Sequence, residues 1–352
     1  QVPVRLSPMF TNTSAVAALG AAWLLLWVGG AQVERGWTPL ARPFQWPELT
    51  AHHRTLDRLL VQIPADAAVS ASPAVHPHVA HRETVHVFPV VAQATHVLID
   101  VAGVTGMDPN DVKAQVERLI GAEGFGVADA ADGFILLAKG ETNRALPPDF
   151  LTFVRADVPQ PAIATDIRFG PGLRLLGYDV VDDERWRLTR LRYYWQVDEG
   201  LAGDTEIHTE VRAPAGTLAD SSDLRPAPGL VWHPPSDWDP GDAIVIEAGA
   251  WFLPRQFAPV VRVTSGSRTV TPSVLEQPAP ASQEAADSRA AAGQPEGVSA
   301  RAEVAADGAL RLPGMIRREG RLSVYEGALT PIVTADAAFA ADHHRHHARL
   351  AQ

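Results

Sequence analysis

The chain has 352 residues with 30 basic and 41 acidic side chains, a formal net charge of −11, and no cysteine. An acidic chain lacks the basic face that displaces counterions from phosphates, which excludes nucleic acid as a partner, and a hydrophobic fraction of 46% excludes global disorder. The missing cysteines exclude a disulfide framework, thiolate metal sites, iron–sulfur ligation and a cysteine nucleophile, while leaving the redox compartment open.

The chain opens on Gln1 rather than Met, which points to a fragment or a processed product. No charged residue interrupts the 28 positions between Arg5 and Glu34, and Ala15 to Ala31 (AVAALGAAWLLLWVGGA) is apolar on every face. A helix rising 1.5 Å per residue crosses the hydrocarbon core with about 20 residues. Residues 1–34 therefore read as a transmembrane region, with the helix at about 15–31. A buried helix of a soluble domain and a secretory signal ending near Gly29-Gly30-Ala31 are the other two readings. Arg5 against Glu34 and Arg35 is too little charge to set an orientation.

Residues 35–145 read as a small α/β domain. Leu56, Leu59, Leu60 and Ile63 recur with the period of an amphipathic helix that Pro64 ends. Val69 to Ala71 and Thr84 to Phe88 are short strand candidates. His96 to Val101 is a continuous apolar run, as expected of a strand covered on both faces. A helix follows, with Asp108 as N-cap, Pro109 at its first position and Val112, Val116, Leu119 and Ile120 on its apolar face. Two strands then meet across Asp132-Gly133, a hairpin dipeptide.

Between the first two strands lies PAVHPHVAHRE, which puts His76, His78, His81 and Arg82 within seven residues. On a helix, His78 and His81 would share a face and could hold a metal, or with Arg82 an anion. No acidic ligand other than Glu83 stands nearby, so no complete metal site is visible and none is assigned. Backbone-bonded histidines at a strand–helix junction are the structural reading. Asp100, at the end of the buried strand, stands where an α/β sheet often places a functional carboxylate.

The segments IPADAAVSASPAVHPHVAHRETVHVFP, HVLIDV and FGVADAADGFILLAKG together resemble the bacterial membrane-protein family named domain of unknown function 2079. Pro77, His78, His81 and Arg82 match that family's "PH-x-x-HR" motif, while His96 stands where the family commonly has Tyr. The similarity covers about 100 residues. Members of the family are polytopic and similar in their membrane region to C-type glycosyltransferases that use lipid-linked sugars. The resemblance implies that 15–31 is a last span and that the rest is an extracytoplasmic tail at a bacterial cell membrane. That superfamily's catalytic acid lies in an early membrane loop absent from this chain, so no catalytic residue is carried over.

Residues 146–165 are Pro-rich and read as a linker, and 166–271 as an antiparallel β-sandwich of immunoglobulin or jelly-roll type. Leu191, Tyr193, Trp195 and Val197 alternate with Arg190, Arg192, Tyr194 and Gln196, and Asp239-Pro240-Gly241-Asp242 has the pattern of a type II turn. Sandwich tails of this kind are also found on bacterial membrane glycosyltransferase-like proteins, a looser similarity resting on Gly177, Tyr178, Trp195, Trp238, Pro240 and Gly241. Among Trp195, Trp232, Trp238 and Trp251, the candidates for stacking on a glycan are Trp232 and Trp238, against a packing role for each. Residues 272–298 read as a disordered linker or insertion, 299–335 as further strands completing the sandwich, and 336–352 as a tail with its own His cluster, Asp342 to His347.

The expected fold class is thus α+β and multidomain: a transmembrane helix, an α/β layer and an antiparallel sandwich. Three functions fit. The first is an accessory, non-catalytic extracytoplasmic portion of a polytopic glycosyltransferase-like protein, partnered by its membrane domain and a lipid-linked sugar or glycan. The second is a membrane-anchored, glycan-binding surface module. The third gives the α/β domain its own site at His78, His81, Arg82 and Asp100. No cofactor motif is present.

Overall fold

The computed structural model describes residues 13–36, 38–41, 44, 49–103, 105–156, 158–183, 188–213, 218–248, 253, 254, 256–274, 302–318 and 321–325. The expected tail at 336–352, Trp251 and most of the expected linker at 272–298 lie outside these. The chain divides into two compact units, Gln1–Arg54 and Thr55–Gln352.

The first unit is dominated by α1 (Thr13–Arg35), whose stretch Val16–Arg35 is long and apolar enough to cross a membrane and has no buried residue in its apolar window. Leu19, Trp23, Leu26 and Trp27 are all more than 60% exposed. Apolar surface of this extent needs a non-aqueous neighbour.

The second unit begins with α2 (Ala51–Leu60), which crosses the boundary between the two, followed by β1 (Val69–Ala71), α3 (His76–Val79), β2 (Val85–Val87), β3 (His96–Asp100), α4 (Pro109–Ala122), β4 (Phe125–Ala131) and β5 (Phe134–Lys139). These form a five-stranded sheet of order β2-β1-β3-β5-β4, parallel among β2, β1 and β3 and antiparallel beyond. Leu98 faces a core with Leu56, Leu59 and Phe134, while Val97 and Ile99 face one with Val112, Val116 and Leu119. The unbroken apolar run of β3 follows from this double cover. Asp108 caps α4 by accepting from the N–H of Asn110 at 2.8 Å, and the β4–β5 hairpin turns at Asp132 and Gly133, both at positive φ.

The remaining strands are β6 (Ile163–Phe169), β7 (Leu173–Asp183), β8 (Leu188–Val197), β9 (Thr205–Arg212), β10 (Leu218–Ser221), β11 (Ala243–Glu247), β12 (Gln256–Ser265), β13 (Arg268–Thr269), β14 (Pro272–Val274), β15 (Glu303–Val304), β16 (Leu310–Arg311), β17 (Gly314–Arg318) and β18 (Arg321–Tyr325). One antiparallel sheet runs β11-β8-β7-β6-β14, and a second runs β10-β9-β12-β16-β15 with β13, β17 and β18 attached. They share one core. Leu191, Tyr193, Trp195 and Val197 of β8 point into it and meet Ile207, Phe257, Val261 and Leu310 of the other sheet. Tyr178 secures the join by donating its hydroxyl to the carbonyl of Pro313 at 3.0 Å.

Two expectations change. The stretch expected as a linker after residue 146 contains a 3₁₀ turn, Pro148–Val154, that buries Phe150 in the α/β core and Val154 in the sandwich core. Four apolar side chains in seven residues outweigh its Pro content. The segment expected to be disordered from 272 starts with three residues in β14, where Pro272 sits at the first position of an edge strand and gives up no ladder bond.

The register of β7 against β8 shifts between Leu175 and Gly177, opposite a shift in β6 between Ala164 and Ile167. Gly177 has φ +153, and a Cβ there would lie 2.2 Å from the carbonyl oxygen of Ile163. Gly177→Ala is expected to destabilise the unit by about 2–4 kcal/mol, read by urea unfolding. A change below about 0.5 kcal/mol would show that the strand relaxes freely.

Candidate functional site

The parallel strands β1 and β3 send their chains apart, β1 through α3 toward β2 and β3 through α4 toward β4. Crevices at the carboxyl ends of strands form at such switch points. Asp100 closes β3 there. It is 7% exposed, and its Oδ1 accepts from the N–H groups of Ala102 and Gly103, each at 3.0 Å. Its own N–H donates to the hydroxyl of Ser72 at the end of β1, at 3.1 Å. A side chain at 103 would come 2.6 Å from Asp100 Oδ2, which explains the glycine. Asp100 therefore shapes the loop that leads into α4.

His78 and His81 are exposed on and just after α3. Arg82 turns the other way: its guanidinium donates to the carbonyls of Pro64 and, at 3.1 Å, Ile63, tying the turn after α2 to the β1–β2 crossover. Among the described residues no three His, Asp or Glu side chains converge as a metal site. Trp238 is 3% exposed in the sandwich core and donates Nε1–H to the carbonyl of His233 at 2.9 Å, so its ring offers no face to a glycan. Its sequence context, beside a turn, looks open; the fold closes over it.

Trp232, at the end of α5 (Pro228–Trp232), is placed differently. Its ring meets Phe150 edge to face, with centroids 5.3 Å apart, and the Lys113 ammonium stands 5.8 Å from the ring centroid. Lys113 also donates to the carbonyl of Val231 at 2.9 Å. Trp232 lines a cleft of about 110 Å³ between the α/β layer and the sandwich. The loop from Val101 to Met107 and the first turn of α4 form one wall; Arg190, Arg225 and Glu247 belong to the other. Neither His78 nor His81 takes part.

The sandwich wall is an ion-paired row. Glu247 Oε1 accepts from Arg190 Nη1 at 3.1 Å, and Oε2 accepts from Arg192 Nε and Nη2 at 3.1 and 2.8 Å. The alternation of β8 marks Arg190 and Arg192 as outward-facing, but their partner lies on β11, more than 50 residues away, and Arg225 carries no local signal at all. A second polar chain runs from Asp223 through His208 (Nδ1 at 2.7 Å) to the hydroxyl of Thr264 (Nε2 at 3.3 Å). Thr264 lies outside the open hollow that His208 and Asp223 line, so this chain serves as a tie between β9, β12 and the turn after β10.

Two imidazoles, His233 buried and His96 half-buried, are shifted toward the neutral form. Burial, then the charge of Arg155, pushes His233 below the usual histidine range, against a weaker pull from Asp237, Asp242 and Asp239. Burial, then Arg82, does the same for His96.

Removing the exposed imidazoles in His78→Ala/His81→Ala should leave stability within about 0.5 kcal/mol, whereas Arg82→Ala should cost about 1–2 kcal/mol by orphaning two carbonyls. Equal losses in urea unfolding would contradict these placements. The lowered His233 and His96 also set a pH dependence. Above about 6.5 both the native and unfolded chains hold these rings neutral, and stability is full. As pH falls below it, the unfolded chain binds protons that the native state refuses, so stability drops. Unfolding measured from neutral to mildly acidic pH should show this drop, and His233→Gln should flatten it; an unchanged slope would place the titration elsewhere. No protein-family model, curated protein or solved structure matches this chain.

Proposed function

We propose that the chain is a membrane-anchored, extracytoplasmic accessory portion of a larger membrane protein similar to glycosyltransferases that use lipid-linked sugars, and that it carries no catalytic centre of its own. The observation that carries the reading is α1, a 23-residue helix whose centre, Ala15 to Ala31, is apolar on every face and whose apolar window holds no buried residue. The sequence resemblance through PHVAHR supplies the class of parent protein. The local geometry supports an accessory role: Asp100 Oδ1 and the two Nη atoms of Arg82 bond to backbone groups, and His78 and His81 stand apart from the cleft. The paired sheets are read as an immunoglobulin-like module, on the strength of Trp195 packed between them. Of the two indoles that favour a glycan-binding module, only Trp232 reaches a cleft.

The test is made in the native gene with an alkaline phosphatase reporter fused after residue 352. The expected outcome is a protein that stays in the membrane pellet through alkaline carbonate and a reporter that is active outside the cytoplasm. Arginines in place of Leu25 and Leu26 should weaken insertion by about 2.5–3.5 kcal/mol each and release the isolated chain from membranes. Extraction of the unaltered protein by carbonate, or a reporter inactive for want of export, would defeat the proposal.

A further inference from the structure

The chain between β10 and β11 forms no strand. From Ala227 to Trp238 it makes α5 and a 3₁₀ turn, Pro235–Asp237, which pack against α4 of the α/β layer and against β9 and β11 of the sandwich. Its backbone bonds close on itself: the N–H of Leu230 donates to the carbonyl of Ala227 at 3.0 Å, that of His233 to Gly229 at 2.9 Å and that of Trp238 to Pro235 at 3.2 Å. Outward it is tied by Trp232 on Phe150, by Trp238 in the sandwich core and by Lys113 on the carbonyl of Val231. Such a segment can open without breaking a sheet ladder, which puts it toward the low-stability end of a fold. His233 stands at its centre. The residue is 4% exposed, and its Nε2 is sealed from solvent with no hydrogen-bond partner.

We propose that this segment is an acid-released latch, shut while His233 is neutral and opened by its protonation, which loosens the α/β layer from the sandwich. A protonated imidazole carries an N–H on both ring nitrogens. At Nε2 that N–H would find no acceptor, and a buried donor or charge left unpaired is costly. The charged groups facing the ring are Arg155, just after the 3₁₀ turn Pro148–Val154, and Asp237, Asp239 and Asp242 in and after the second 3₁₀ turn. Burial and then Arg155 oppose the proton, and the three carboxylates favour it more weakly. In the opened segment the ring meets water and takes its proton at the ordinary histidine value of 6.5. Opening therefore grows as pH falls below about 6.5 and levels off once the closed state also takes the proton. A single proton limits the growth to about tenfold per pH unit. His96 on β3 and His86 on β2, whose Nε2 is also sealed, belong to the α/β sheet, so their protonation acts on other elements.

Hydrogen exchange of the full chain in detergent micelles, read by mass spectrometry between about pH 7 and pH 5 and corrected for the intrinsic rate, tests the latch. Peptides covering 227–238 are expected to open more as pH falls, by up to about tenfold per pH unit, while those covering β8 and β12 keep their protection. His233→Gln removes the titrating ring and should abolish the rise. Arg155→Gln, at an exposed residue, removes the charge that helps keep the ring neutral and should shrink the rise. No rise in the unaltered chain, an equal rise in every peptide, or a rise of full size in folded His233→Gln would overturn the proposal. If His233→Gln does not fold, Arg155→Gln decides, and a rise of full size there overturns it.

Discussion

The second unit is organised around a single insertion: the 3₁₀ turn Pro148–Val154, which plants Phe150 in the α/β core and Val154 in the sandwich core. Two layers joined by a solvated tether would move independently, as is usual where an interface is small. Here the connection is itself core. Phe150 meets Trp232 edge to face and Phe153 at 5.7 Å, and Gly229 lets α5 approach Val154 and Ile246 so closely that a Cβ would lie 2.9 Å from each. Lys113 adds a bond from α4 to the carbonyl of Val231. The cleft exists because these contacts hold the end of β3 opposite the outer face of β8.

Polar groups near that cleft divide into two kinds. Those that build the backbone bond locally: the Asp100 carboxylate to its loop and the Asp100 N–H to Ser72, and Asp108 to the first turn of α4. Those on the sandwich wall are satisfied across strands, through the pairing of Glu247 with Arg190 and Arg192. Such pairs are partly exposed, so they contribute little to stability and more to the field that the cleft presents. Trp232 stands apart from both, with a buried donor and no acceptor.

The sandwich interior has its own buried polar atoms. Tyr178 finds the carbonyl of Pro313, while the Tyr193 hydroxyl and Trp195 Nε1 have none. Burial drives the Tyr178 and Tyr193 hydroxyls far above the ordinary tyrosine range. Tyr194, on the opposite face, bonds to Asp179 at 2.6 Å and is pushed up to about 12 by burial and that carboxylate. Alternation along β8 thus separates aromatic residues that fill the core from one that ties β7 to β8.

Local chemistry made much of the fold legible in the sequence: the apolar length of α1, the cap and stripe of α4, the double-sided run of β3, the Asp-Gly hairpin and the alternation of β8 each depend on neighbours within one element. Asp100 is also visible, as a carboxylate ending a buried strand, and in the structure its Oδ1 holds the loop that follows. The motif PHVAHR was legible as a pattern but not as a geometry, because the direction of Arg82 is decided by the carbonyls at Ile63 and Pro64. Trp232 and Trp238 both stand as glycan-stacking candidates in the sequence, since each follows a proline by three or four residues; the packing of α5 against Phe150 places one at a cleft, and the sandwich core buries the other. Arg225, Glu247 and the loop after β3 come together from three distant segments, and no local spacing encodes that meeting. Periodicity and capping act over a few residues and are written in the chain, whereas a shared cleft depends on long-range closure, which only the tertiary structure decides.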